Sequence, residues 1–411
     1  MVRFKKLTFF KASLKIYLLR EKEIKLKIFF KTTQLASINK FYITRLFFLL
    51  IFFNSCIDPV VPQFDFIEDL VIVDAIASSV PGTTFVSVKK TLLEFGKYKA
   101  VFVTGCKVKL INSVTKEEVP LYEESGNYLV SADFGVQEGS QWELEVVTPS
   151  GKTYKSLSEK VPAAVSIETI SGVYNKEMAF DEASGKFIPG HEIRIDFQEP
   201  SEEDNFYYFQ YRAYEKELYC ALCNNGVLRF GECVSQIDNP LAKEYYTYLC
   251  DQTCWKITYN QEISLFDDAF TNGKSISNLL VGSLPLNTRQ DVLVEVLQLN
   301  ITEEAHKYYK TLKDIVDNNS GFNAPLPSAL IGNFYNPNDT EDPVLGRFTA
   351  AAATTKSVFI KRGTISQAPI SSFRVPQPEL FGDPLPNPIT YDSPCIEKRN
   401  QTKVKPLLWE E

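Results

Sequence analysis

Histidine is nearly missing from this chain: 411 residues hold two, His191 and His306. That excludes an HExxH zinc pair. Any Ser–His or Cys–His nucleophile would depend on one of two isolated imidazoles, neither on a recognisable turn. His191 opens an alternating segment beside Glu192 and reads as a surface or rim residue, while His306 reads as solvated on a helix side shared with Lys310, Lys313 and Asp317. There is no GxSxG elbow and no glycine-rich phosphate loop. Long apolar runs are lacking too. The stretch Leu46–Phe53 has eight residues, well short of the roughly 20 that a helix needs to span a bilayer.

A basic stripe is also absent from most of the chain. Before Cys56, twelve Lys/Arg stand against two Glu, a formal charge of +10; after it, thirty-two Lys/Arg face forty-nine Asp/Glu, or −17. The acidic part offers nothing to nucleic-acid phosphates, and would not adhere to anionic lipid by charge alone. Carboxylates are plentiful, as in Glu202–Glu203–Asp204 and Asp267–Asp268. Acid–base catalysis needs two in one cleft with separated pKa values, and such runs read as solvated loops. The polar loop Asn336–Asp342 has oxygen ligands at loop spacing but lacks the glycine and final Glu of an EF-hand. No catalytic residue, metal or cofactor is expected.

What is present begins at Cys56. A basic leader, an apolar run that is mostly aromatic or β-branched, and Asn54–Ser55 before a cysteine form a secretory signal pattern. A cysteine after the cut can carry diacylglycerol on its thiol and a further acyl chain on its freed amine. Phe53 and Asn54 stand where the strict lipobox has Leu and a small residue. Cys56 is expected to be the lipidated first residue of a bacterial lipoprotein, the lipid being its membrane link. An uncleaved anchor is the alternative. Residues 1–55 form the leader and 56–66 a proline-broken tether.

Seven cysteines remain. Five cluster as Cys220-x2-Cys223-x9-Cys233-x16-Cys250-x3-Cys254, with Cys106 and Cys395 far off. CxxC followed by a second close pair resembles a zinc ribbon. Export favours disulfides instead, among Cys220, Cys223, Cys233, Cys250 and Cys254, with Cys395 available as a sixth partner and the connectivity open. Cys106 lies in an alternating strand and is expected to stay unpaired as a small buried hydrophobe.

The mature part reads as two β-rich domains, and 13% aromatic content agrees. In 67–162, short segments such as Leu70–Val73, Thr84–Val88, Cys106–Leu110 and Gln141–Val147 alternate with turn signals, describing a β-sandwich able to fold without the rest. In 163–365, His191–Phe197 alternates and Phe206–Tyr214 is a long aromatic strand. Tyr207, Phe209 and Tyr211 share one of its faces, suited to core or to stacking on sugars. Core packing is expected, the other face being covered by a neighbour such as the cysteine-rich insertion, about 220–254. One amphipathic helix follows Thr302, its N-cap, with Ala305, Tyr308, Tyr309, Leu312 and Val316 as its buried face. Phe348 and Val358–Ile360 suggest final strands. Residues 366–411 form a proline-rich tail pinned by Cys395.

Taken in order, Leu70–Asp74, Val103–Val108, Gly126–Tyr128, Trp142–Leu144, Gly151–Tyr154, the aromatic strand, Cys254–Trp255, Tyr308–Tyr309 and Leu345–Phe348 resemble the domain-of-unknown-function 4249 lipoproteins of the Bacteroidota. The resemblance covers roughly 56–365. It implies an immunoglobulin-like or carboxypeptidase-regulatory-like first sandwich and a protein anchored by lipid at the cell outer membrane, facing either the periplasm or the surface. It also implies association with a TonB-dependent receptor, and it donates no catalytic residues. The function expected is noncatalytic: an accessory protein that binds such a receptor, or a glycan or peptide ligand. A surface glycan-binding adhesin and a carboxylate-dependent carbohydrate-active enzyme are the alternatives.

Overall fold

Strand alternation organises the chain, because residues two apart share a face of a sheet. The computed structural model describes residues 69–410 apart from 96, 182–183, 202–203, 225, 230–231, 236–245, 261, 319–329, 331, 371–394 and 396–398. Cys56 and the segments expected to be leader and tether lie outside the described residues. Ile67–Glu411 form one compact unit, and it is mainly β. No helix among the described residues is long and apolar enough to cross a membrane.

The first half contains β1 (Val71–Ser78), β2 (Phe85–Glu94), β3 (Lys97–Phe102), β4 (Lys107–Asn112), β5 (Glu118–Glu124), β6 (Asn127–Leu129), β7 (Gln141–Val147), β8 (Thr153–Ser156) and β9 (Glu159–Lys160). β1, β2 and β3 pair antiparallel in sequence, while β4 pairs with β5 and β7, and β7 with β8. Val73, Val88, Leu110, Leu144 and Val146 fill the space between. Tyr128 locks it: its hydroxyl donates to the Val103 carbonyl at 2.6 Å and accepts from the Cys106 amide at 2.9 Å. Cys106 is a buried free thiol.

The second half contains β10 (Ile167–Asp181), β11 (Lys186–Gln198), β12 (Phe206–Asn224), β13 (Gly226–Arg229), β14 (Glu232–Ser235), β15 (Tyr246–Tyr259), β16 (Ser264–Asp267), β17 (Ser275–Pro285), β18 (Val292–Ile301), helix α1 (Glu303–Asn318), β19 (Phe334–Tyr335), β20 (Val344–Leu345), β21 (Phe348–Ile360) and β22 (Gln401–Thr402). β12 lies between β15 and β18. On one face of this sheet Tyr207, Phe209 and Tyr211 meet Ile193, Ile195 and Phe197 of the β10–β11–β17 sheet. The aromatic strand is therefore core. The Phe206–Tyr208 end of its other face is covered by α1, where Tyr208 stacks on Tyr309 at 4.6 Å, and Tyr214 packs with Trp255 and Trp409. The cysteine-rich insertion is more regular than expected: β12 and β15 form a long antiparallel hairpin carrying the smaller β13–β14 pair.

Thr302 caps α1, its hydroxyl 3.3 Å from the Ala305 amide. Ala305, Tyr308, Tyr309 and Leu312 pack inward, but Val316 is 61% exposed.

β21 joins the halves. Phe348–Ala351 pair parallel with β1, and Ala352–Ile360 antiparallel with β18. Phe348, Ala350 and Ala352 complete the first core, whereas Ala351 and Ala353 face α1. Small side chains let layers approach on both sides of one strand. The two segments expected at 348 and 358–360 are thus one strand, and the first core is completed from outside 67–162. Gly346, just before it, has φ +97°, and a Cβ there would strike the Val73 carbonyl, so only glycine fits.

Candidate functional site

β10 sets Tyr174 opposite His191 of β11, with ring centroids 5.4 Å apart. With the end of β21, Lys361 and Thr364–Gln367, this pair lines an open cavity of about 470 Å³. His191 is 2% exposed, not the rim residue expected. It is in phase with Ile193, Ile195 and Phe197 on the inward face of β11, and β11 is the middle strand of its sheet. That phase was present in the sequence. Burial, reinforced by the charge of Arg362, lowers its pKa to about 4. The ring is neutral near pH 7, and its Nδ1 has no hydrogen-bond partner; the Tyr174 hydroxyl is likewise unpartnered. A base is effective when its pKa lies near the working pH, so His191 is better suited to hydrogen bonding than to proton transfer.

Arg362, next to the cavity-lining Lys361, has a fully buried side chain. Its Nη1 donates to Glu215 Oε1 at 2.6 Å, and its amide donates to Asp291 at 2.8 Å. Nε and Nη2 have no partner. Those donors are buried and Arg362 does not line the cavity, so the guanidinium acts on the site through its charge on His191; no sequence motif announced it.

The carboxylate runs divide. Asp204 is exposed and residues 202–203 lie outside the described residues. Asp268 is buried with Oδ2 unpartnered, and its negative charge acts on Glu199, which sequence reading missed. Burial first, then Asp268, raises the Glu199 pKa, against the Tyr207 hydroxyl 2.8 Å away. Neither carboxylate lines the cavity. His306 is also buried, against Phe206 at 5.2 Å and Asp267 at 3.9 Å, rather than solvated.

Asp342 is occupied by protein donors: Lys152 Nζ at 2.7 Å, Asn336 Nδ2 at 2.8 Å and the Tyr154 hydroxyl at 2.9 Å. Burial pushes its pKa up, but these donors outweigh it and hold the carboxyl below its ordinary value. Among the described residues no three His, Cys, Asp or Glu side chains converge as a metal site. Of the six disulfide candidates, Cys254 on β15 is joined to Cys395. Cys220 and Cys223 sit on β12, Cys233 on β14 and Cys250 on β15; their side chains lie outside the described residues.

The second buried ion pair binds the two halves. Arg347 Nη2 contacts Glu159 Oε1, which also accepts from Asn333 Nδ2 at 3.1 Å, while Thr302 donates to Oε2 at 2.9 Å. Asn333 further brackets Phe348 through both of its backbone groups.

The family description "Domain of unknown function (DUF4249)" matches residues 57–357. The chain belongs to the DUF4249 family. No curated protein and no solved structure matches it significantly. The residues that carry the DUF4249 resemblance are the joints just described. Gly126–Asn127–Tyr128 supplies the Tyr128 lock, Gly151–Lys152–Thr153–Tyr154 the clamp on Asp342, and Leu345–Gly346–Arg347–Phe348 the link between halves. The aromatic strand and Tyr308–Tyr309 supply the packing under α1.

Proposed function

We propose that this DUF4249 chain is an exported bacterial lipoprotein, acylated at Cys56 and held at the cell outer membrane, where it binds without catalysing a reaction. Its partner is a TonB-dependent receptor, or a glycan or peptide brought to one. The observation that carries this reading is Cys56 itself. It ends an eight-residue apolar run at the point where formal charge changes from +10 to −17, and the family match opens at the next residue. The cavity lined by the Tyr174–His191 pair supports binding, and a histidine with pKa about 4 supports recognition over proton transfer.

The test has two parts. Radiolabelled palmitate should enter the wild type and not Cys56→Ser, and the tagged mature protein should capture a receptor from native membranes. Label persisting in Cys56→Ser, or a mature protein that retains its leader, would remove the anchor. Hydrolysis of a surface glycan by the purified protein would replace binding with catalysis.

A further inference from the structure

The β2–β3 hairpin runs past the sheet that supports it. β1 begins with Val71 opposite Lys90, and the last bonds between these segments tie Asp69 N to Thr91 O at 3.1 Å and Thr91 N to Leu70 O at 3.0 Å. Beyond Thr91, β2 is paired with β3 alone. Four more residues, about 13 Å of strand, reach the turn at Phe95. Leu92 and Leu93 are neighbours and so face opposite sides of the ribbon, yet they are 37% and 41% exposed; Phe95 is 97% exposed. Neither face of the tip is covered by the described residues. Phe95 also has φ +49°, a left-handed conformation unfavourable for a bulky residue, and nothing in the fold requires an aromatic there.

Charge and chain direction identify the occupant. Residues 89–99 carry Lys89, Lys90, Lys97 and Lys99 against Glu94, a net +3 inside a region whose total is −17. Lys90 pairs with Asp69 at 2.7 Å and Lys99 with Glu94. The chain enters β1 at the base of this hairpin. β1 leads away from that entry and β2 returns toward it, so the tip extends beyond the end of the sheet at which β1 begins. Twelve residues lie between Cys56 and Asp69, thirteen Cα–Cα steps with a reach of at most ~45 Å when fully extended. An apolar tip within a basic collar, tethered within that reach of Cys56, matches an interfacial membrane contact.

We propose that Leu92, Leu93 and Phe95 insert into the headgroup–acyl boundary of the bilayer that holds Cys56, with the lysines on anionic headgroups. The inference rests on the reading of Cys56 as the lipid anchor. It differs from adhesion by charge alone, because the apolar tip supplies the insertion and the lysines steer it.

The test uses Phe95→Trp in the full mature chain, bound to vesicles of mixed zwitterionic and anionic phospholipid brominated near the headgroup. Wild type gives the baseline from Trp142, Trp255 and Trp409. Quenching of Phe95→Trp should exceed that baseline at least about twofold, since the ring would sit at the depth of the bromines. In a Cys56→Ser background, the triple change Leu92→Ser, Leu93→Ser and Phe95→Ser should weaken vesicle binding at least about tenfold. Quenching at the baseline, or equal vesicle binding with and without the triple change (none by either included), overturns the proposal. So does an indole in Phe95→Trp that is shielded only when an outer-membrane protein is present, which assigns the tip to a protein partner. Palmitate incorporation reports on Cys56 separately: quenching without label removes the anchor and keeps the hairpin contact, and label without quenching does the reverse.

Discussion

Replacing Arg347 by Met should be among the most damaging single changes in the chain. The Arg347 and Glu159 side chains are 6% and 7% exposed, so the substitution leaves a carboxylate buried without its cation. Thr302 and Asn333 continue to donate to it, but neither carries charge. Stranding one member of a buried ion pair typically costs about 3–5 kcal/mol, a large part of the roughly 5–15 kcal/mol that stabilises a folded protein. The assay is urea unfolding of wild type, Arg347→Met, Glu159→Gln and the double variant. Glu159→Gln removes the buried charge from its side, and the double variant should recover most of the Arg347→Met loss, a coupling visible in the cycle. A pH dependence follows. Burial already raises the Glu159 pKa, and Arg347 is the strongest influence lowering it; without Arg347 it rises further. Between the ordinary carboxyl pKa and this higher folded value, the folded state holds a proton that the unfolded state has lost. Stability of the variant therefore falls as pH rises through that window. The Arg347→Met loss should be smaller near pH 5 than near pH 8. A loss that is additive with Glu159→Gln and flat with pH would refute the reasoning and reduce Arg347 to a packing residue.

Gly346→Ala should destabilise by at least ~1–3 kcal/mol, because φ +97° and the Val73 carbonyl both exclude a Cβ; a thermal midpoint matching wild type would contradict this. The His191 ring should show no titration by NMR between pH 8 and 5.5. Its folded pKa of about 4 lies below the unfolded value near 6.5, so the linked stability is present above pH 6.5 and is lost, by up to ~3 kcal/mol, as pH falls toward 4. Cys395→Ser should cost ~2–4 kcal/mol in urea unfolding, since the Cys254–Cys395 bond spans 141 residues, and should speed proteolysis near Trp409, which packs on Trp255 and Phe359. An isolated 67–162 fragment should show no cooperative unfolding, because Phe348, Ala350 and Ala352 are missing from its core; a sharp transition would show that the sandwich closes alone.

Local pattern alone determined the predominance of β structure, many strand positions, the cap and first turns of α1, and the burial of Tyr207, Phe209 and Tyr211. Each depends on a period of two or 3.6 within a few residues. Cys106 as an unpaired buried thiol was legible for the same reason. The order of short segments also carried the DUF4249 membership. Tertiary structure decided what depends on partners far along the chain. Ala350–Ala353 have little strand signature of their own, and become the seam of the molecule only because β1 and β18 flank them. Glu159 and Arg347 are ordinary charged residues until the fold places them together across 188 positions. Asp268 gained its coupling to Glu199 in the same way. The phase that buries His191 was visible along β11, but its low pKa comes first from burial between packed layers and then from the charge of Arg362, beyond the end of β21. Cys254 met Cys395 and not a near neighbour, since the pairing of thiols is set by the distance between strands rather than by spacing in sequence.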